Sequence, residues 1–532
     1  MEEKTALISN KSYESQPSLH SVPISAKNFK TQDDDLTYFP KYSDDESEEI
    51  APSTVYVRCQ TYWYRWYICL IFSFMGWLQG CIWNTWSPIA DSAKVAYGFT
   101  PFDIELLTNW GPIAFIVSMP IYMWILDQKG LRVACVSTAL FVAIGAGIRC
   151  FPLHVNIIKY FIHFAHFLNG IGGCVVMAAP PLLSSTWFPP NERITATSIS
   201  TLLNYMGTGT AYIIGDLVKS PSKDVVNASC FQHVLQNLTK NDTCYEVIQI
   251  RRDIQNVLYV EFGIAVVIFL AIFAYFPRHP PLPPSLSASV ERMDFKAGLK
   301  NVSKNRQYNF IALVLALTLG TWGAWTGVMP LIVQPLNVSQ DEAGEIGFIM
   351  TLVGCGVGMV VGWITDRLKG KMKIMLSILF SLALIMFLYL IIITNKWLKF
   401  TPFLPQKGEI WATNIILGIA VNAAIPLGME MAADRAYPVS ESISTSILVW
   451  LFNISSFFLL LALGYATDPT FANYILLGCF AFSVPVLFIF VKNENRRLHL
   501  DEMRKSVRST SGSETYGSIT GTSGGHTSSH DN

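Results

Sequence analysis

Charge is scarce in this 532-residue chain: 14% of the residues are Asp, Glu, Lys or Arg, against 51% hydrophobic residues, and the mean hydropathy is +0.37. A soluble protein of this length needs much more charge on its surface, so the balance excludes that class and points to a polytopic membrane protein surrounded by lipid. The ten cysteines make no CxxC pair and hold no ligand-like spacing to histidine, which excludes the common zinc and redox sites. No glycine-rich phosphate loop and no nucleophile elbow is present, so no enzyme activity, cofactor or metal is expected. Nothing points to a nucleic-acid partner. No cleavable signal peptide follows Met1, and the first apolar run is expected to serve as its own insertion signal.

What the chain does contain is twelve apolar runs between residues 66 and 491, each near the roughly 20 residues a helix needs to cross a bilayer. The expected fold is therefore an all-α polytopic membrane protein of twelve transmembrane helices in two six-helix halves. The first run, Trp66 to Ile89, has no Asp, Glu, Lys or Arg but holds Gln79, Trp83, Asn84 and Trp86. Offsets of four and seven place Gln79, Trp83 and Trp86 on one helical stripe, expected to face a cavity instead of lipid.

Basic residues recur in alternate loops: Lys129 and Arg132, Arg193, Arg278 with the cluster Arg292 to Arg306, and Arg367 to Lys373. By the positive-inside rule these loops and both termini are cytosolic. The chain then divides into a disordered tail (1–62), an N-terminal half (63–276) with a lumenal loop (218–255), a cytosolic linker (277–306), a C-terminal half (307–491) and a second disordered tail (492–532). The lumenal loop carries three sequons, at Asn227, Asn237 and Asn241, interleaved with Cys230 and Cys244, which could close a disulfide in an oxidising lumen. In the first tail Glu3 to Ile8 fits the acidic dileucine pattern read by sorting adaptor complexes, with Glu3, Leu7 and Ile8 as its determinants. Tyr516 to Ile519 is a tyrosine pattern of the same kind in the other tail.

A repeat marks the two halves. Asp127, Gly130 and Arg132 follow the second run, and Asp366, Arg367, Gly370 and Lys371 follow the eighth. This resembles the loop signature of the major facilitator superfamily, in which the Asp and basic residues clasp neighbouring helices and steady one state of alternating access; Met123 stands where the pattern has Gly, and the second copy has one extra residue before Gly370. Longer stretches, LQGCIWNTWSPI, SSTWFPPNERITATSI (184–199), AYFPRHPPLPPS (274–285) and AYPVSE (436–441), resemble solute carrier family 49, the feline leukaemia virus subgroup C receptor relatives. Likeness to the lysosomal branch of that family implies a secondary active transporter, a proton symporter that exports pyridoxine from the lysosome to the cytosol. The family also implies alternatives: a choline or ethanolamine uniporter of the plasma membrane. A non-transporting nutrient sensor with the same fold is a third.

The resemblance also implies where substrate sits. In the choline-carrying relatives it is held by residues of the first, fifth, seventh and eleventh helices; here those positions carry Trp83, Tyr205, Trp325 and Asn453, with Thr326 in place of a second aromatic. A cage for a quaternary ammonium needs several ring faces. The set suits a flat, polar, neutral ring better, with Trp83, Tyr205 and Trp325 stacking and Gln79, Asn84, Asn204 and Asn453 pairing with hydroxyls. Intramembrane amides also serve as interhelical glue, and Asn204 and Asn453 fit both roles. For proton coupling the titratable candidates are Glu430 and Asp434, four residues apart on one helix face, and His166. The carboxylates equally fit an ion network closing the cytosolic gate, and His166 a neutral packed side chain.

Overall fold

A computed structural model of the protein describes residues 21–23, 54–56 and 58–502, apart from 152–154, 222–241, 291, 334–335, 337, 339, 396–405 and 466–467. The sorting residues Glu3, Leu7 and Ile8, the sequons Asn227, Asn237 and Asn241, and Cys230 with its proposed bond to Cys244 lie outside the described residues or depend on them. In the tail, Ser21–Pro23 pairs antiparallel with Thr54–Tyr56.

Twelve long helices follow among the described residues. In chain order they are α1 (Arg65–Asn84), α2 (Pro101–Trp124), α3 (Leu131–Ile148), α4 (Val155–Ala178), α5 (Arg193–Asp216) and α6 (Asp242–Ala274) in the first half. The second half holds α7, built from Arg306–Leu315, a π-helical turn Ala316–Gly320 and Thr321–Val333, then α8 (Gln340–Arg367), α9 (Met372–Thr394), α10 (Gln406–Ala436), α11 (Glu441–Tyr465) and α12 (Phe471–Ile489). Eleven of them are long and apolar enough to cross a membrane by length and composition. The other, α5, is 24 residues long but rich in Thr, Ser and Gly. Thr197, Ser198, Ser200, Thr201 and Asn204 are all buried, so α5 carries its polarity inward, where lipid never meets it.

Several boundaries differ from the hydropathy pattern. The first run does not continue to Ile89: α1 stops at Asn84, and Ala90–Tyr97 forms a separate short helix beyond Pro88. The expected loop 218–255 is helical from Asp242 onward, because α6 extends beyond its apolar stretch. The linker holds Leu286–Ser289 and Phe295–Lys304, and residues 496–502 of the second tail are helical and docked.

The closest approach in the first half is between α1 and α5. A Cβ on Gly80 would collide with the Asn204 carbonyl, and one on Gly207 with the Trp77 carbonyl. Small residues let two backbones meet in this way where lipid supplies no hydrophobic drive for packing. The second half is held instead by rings: Trp322 stacks on Trp325 at 5.0 Å, and Phe387 meets Trp325 edge-on and stacks on Phe480.

Candidate functional site

The repeat Asp127–Gly130 and Asp366–Gly370 lies at one end of the bundle, here the motif end. Both glycines sit at positive φ, +81° and +75°, a region that side-chain-bearing residues rarely adopt, so each turn out of α2 or α8 needs its Gly. Each Asp reaches the start of a helix in the other half. Asp366 accepts hydrogen bonds from the backbone N–H of Ile194 (3.1 Å) and Thr195 (2.7 Å) and from the Thr195 hydroxyl (2.6 Å), so it caps the N-terminus of α5. The free N–H groups and positive dipole end of a helix suit a carboxylate there. Asp127 accepts from the Ser442 hydroxyl in the first turn of α11, at 2.8 Å.

The basic partners do not clasp as the resemblance implied. Arg132 is exposed, and Arg367 lies over the Trp363 ring of its own helix at 4.5 Å. The carboxylates make the cross-half contacts by themselves because helix N-termini, not arginines, face them.

A second layer backs these caps. Glu430 of α10, 1% exposed, accepts from the hydroxyls of Ser184 (2.6 Å) and Thr197, both in the first half, and pairs with Arg497 at 2.7 Å. Asp434 pairs with Arg435 at 2.8 Å and accepts the backbone N–H groups of Arg496 and Arg497. The Arg497 side chain thus lies against Glu430 and Asp434, and Glu441 is 3.6 Å from it. Burial alone would lower the Arg497 pKa; the carboxylates of Glu430, Asp434 and Glu441 outweigh it and hold the guanidinium above its ordinary value. Glu430 and Asp434 are therefore members of one buried ion network with Arg435 and Arg497. The second tail takes part further through Asp501, which accepts from Ser287 and lies 3.6 Å from Arg193.

Of the proposed substrate residues, several are occupied inside one half. Gln79 donates to the Asn169 carbonyl (3.2 Å) and accepts from Asn204 (3.0 Å), which also donates to the Gly76 carbonyl (2.8 Å). Asn84 donates to the Thr208 carbonyl at 3.2 Å. The amides of Gln79, Asn84 and Asn204 are glue among α1, α4 and α5. Trp86 is 1% exposed and packs on Tyr97 and Phe99, so Gln79 and Trp86 of the stripe are embedded in the first half, while Trp83 is half-buried.

The Trp325 ring is fully buried, stacked on Trp322, and its Nε1 donates to Asn473 of α12 at 2.7 Å. Trp83 donates to the Thr108 carbonyl and stays half-buried, as do Tyr205 and Asn453, the last donating to Val449 of its own helix. His166 is buried against Trp86, remote from the gate carboxylates in its bonding, and its Nδ1 meets the Ile162 carbonyl. Sequence reading missed Arg497 and Asp501, which lie in a polar tail without apolar periodicity. It also missed Glu261, a lone acidic residue at the edge of an apolar run, paired with Arg149.

Among the described residues, twelve helices in two halves are joined at one end by matching acidic caps. The family model described as Major Facilitator Superfamily matches residues 68–405. A solute carrier family 49 member 4 homolog of Xenopus tropicalis is 37% identical over 82% of this chain and 93% of its own length. The chain belongs to the major facilitator superfamily and, within it, to solute carrier family 49. It is also similar to the choline/ethanolamine transporter FLVCR1 of Mus musculus, 23% identical over 82% of this chain and 76% of that protein. The E. coli fucose:proton symporter FucP shares the fold, with a TM-score of 0.58 at 14% identity over 80% of this chain and 98% of that one. The chain is a multi-pass membrane transporter of small molecules and not an enzyme.

Proposed function

We propose that the protein exports pyridoxine from the lysosome to the cytosol with protons, by alternating access. The observation that carries the transport cycle is the pair of acidic caps, Asp366 on α5 and Asp127 on Ser442 of α11, which close the motif end between the halves. With the basic loops taken as cytosolic, the closed end is the cytosolic gate, and substrate enters from the lumen. The 37% identity with a family 49 member 4 homolog supports the branch. Trp83, Tyr205 and Asn453 keep partly exposed surfaces, one indole, one phenol and one amide, which fit a flat ring bearing hydroxyls. Choline or ethanolamine, carried by a relative at 23% identity, would want more ring faces, and the burial of Trp325 removes one.

The location rests on the dileucine residues Glu3, Leu7 and Ile8. Changing Leu7 and Ile8 to Ala should move the protein to the cell surface, where the lumenal face meets the medium. Labelled pyridoxine uptake there should saturate, rise at acidic external pH, and fall about fivefold in Trp83→Ala, since one stacked aromatic face is worth about 1 kcal/mol. Binding without flux would favour a sensor instead, and flux of choline in place of pyridoxine would reassign the substrate.

A further inference from the structure

Inside the first half, at the end opposite the motif, one ion pair is completely enclosed. Arg149, the residue closing α3, donates from Nη2 to Glu261 Oε2 of α6 at 2.8 Å, with side-chain exposures of 0% and 4%. The other carboxyl oxygen meets the Thr85 hydroxyl at 2.6 Å. Thr85 follows the last residue of α1, one position beyond Asn84 and two beyond Trp83. Charges buried at membrane depth are costly and are retained where they do something.

We propose that Glu261 is the proton-coupling group and that Arg149 and Thr85 make its two charge states interchangeable; the proposal rests on the reading of the protein as a proton-driven transporter. The geometry behind it is a count of hydrogens. Thr85 has one hydroxyl hydrogen and two acceptors, the Cys81 carbonyl at 3.0 Å and Glu261 Oε1 at 2.6 Å. With Glu261 ionised, Thr85 donates to the carboxylate. With Glu261 protonated, its O–H donates to Thr85 Oγ1, and the Thr85 hydrogen turns to the Cys81 carbonyl. Neither state leaves an oxygen of this chain unsatisfied, and no heavy atom has to move.

What changes is Arg149. Its Nε and Nη1 are buried without a hydrogen-bond partner, so Glu261 supplies the compensation for its charge. Adding a proton to Glu261 removes that compensation and loosens α3 and α6 from the end of α1, the helix that carries Trp83. The proton has a path: Glu261 borders a cavity of about 310 Å³ between α1, α5 and α6, also lined by Trp77, Cys81, Thr210, Asp253 and Asn256. Water on the lumenal side delivers the proton through it, and the same proton leaves to the cytosol once the halves have rocked over.

Other titratable groups near the pair are Cys81 on α1 and Cys150 after α3, both of which feel its charges, and Asp253, two turns earlier on α6. His166 of α4 is also within reach of the Arg149 charge. His166 makes no direct bond to Glu261, which is why the carboxyl and not the imidazole is assigned the proton.

The test compares wild type with Glu261→Gln, the neutral shape of the protonated state, and with Thr85→Val, which removes the shared hydroxyl without changing charge. In purified full-length protein the wild-type and Glu261→Gln melting temperatures should differ at pH 7.5, and the difference should shrink as the pH is lowered to 5. A constant difference across that range would overturn the assignment, whatever the substrate. In proteoliposomes, wild type should accumulate labelled pyridoxine about tenfold per pH unit for one proton; Glu261→Gln should retain exchange at equal concentrations and lose accumulation. Thr85→Val should shift the pH at half-maximal rate. Accumulation by Glu261→Gln equal to wild type would also overturn it, as would a lowered exchange rate with an unchanged pH profile in Thr85→Val, the pattern of a purely structural pair. If wild type shows no pH-driven pyridoxine flux but the melting curves converge, the proton site stands and the substrate reading falls.

Discussion

The two ends of the bundle use charge differently. At the motif end the acidic side chains reach across: Asp366 to α5, Asp127 to Ser442 and Glu430 to Ser184 and Thr197. At the opposite end every ion pair among the described residues stays within one half: Arg149 with Glu261, Asp103 with Lys159, Lys407 with Glu342. Contacts that cross between halves set which end is closed; contacts within a half set how rigid that half is. The motif end is bonded across the halves, whereas at the opposite end the ion pairs lie within each half and Tyr212 of the first half sits beside Gly347 of the second.

The strongest way to break this contrast is at Arg497. Its loss leaves Glu430 and Asp434 buried without that cation, and breaking one side of such a pair typically costs about 3–5 kcal/mol. Arg497→Ala should open the motif end, read as a longer and broader distance between spin labels at the exposed positions Val133 and Lys369. An unchanged distance would return Arg497 to a role inside the second half only. The sign with pH is fixed by the raised pKa of Arg497: its contribution is complete below the ordinary arginine value and fades only as pH rises through the raised one.

The two caps sharpen the contrast next. Asp366 accepts three hydrogen bonds from the other half and Asp127 one. Asp366→Asn should therefore shift the closed-to-open ratio by about 2 kcal/mol, roughly thirtyfold, and Asp127→Asn by about 1 kcal/mol, measured with the same labels. Equal effects would mean that the halves share the load symmetrically. The smallest effect belongs to the opposite end. Lys407, with its side chain 58% exposed, pairs with Glu342 on the surface of one half, and Lys407→Ala should change melting by less than about 1 kcal/mol and leave the label distance alone.

Much of the architecture was legible before folding. Apolar runs gave the helices, since length and hydropathy are local properties. The Asp–Gly repeat located both caps, and the positive φ of Gly130 and Gly370 is the backbone reason that glycine stands there. Side-chain direction was not legible. Trp325 matched a substrate position by register, yet its ring lies against Asn473, a partner 148 residues away in sequence. Gln79 looked like an unpaid polar group on an apolar helix, but Asn169 and Asn204 satisfy it across two other helices. Glu430 and Asp434 were visible as carboxylates, while Arg497, the cation between them, sat in a tail whose composition shows no reason to fold.

The sequence by itself determined the class: a series of long apolar spans, two halves, a repeated acidic turn, and no enzyme chemistry. These depend on composition and short spacing, which survive without a fold. Tertiary structure alone decided which polar groups are spent and which remain available. A hydrogen bond or a buried ion pair exists only when two distant segments meet, so the gate around Arg497 and the enclosed pair of Arg149 and Glu261 appear only once the helices are packed.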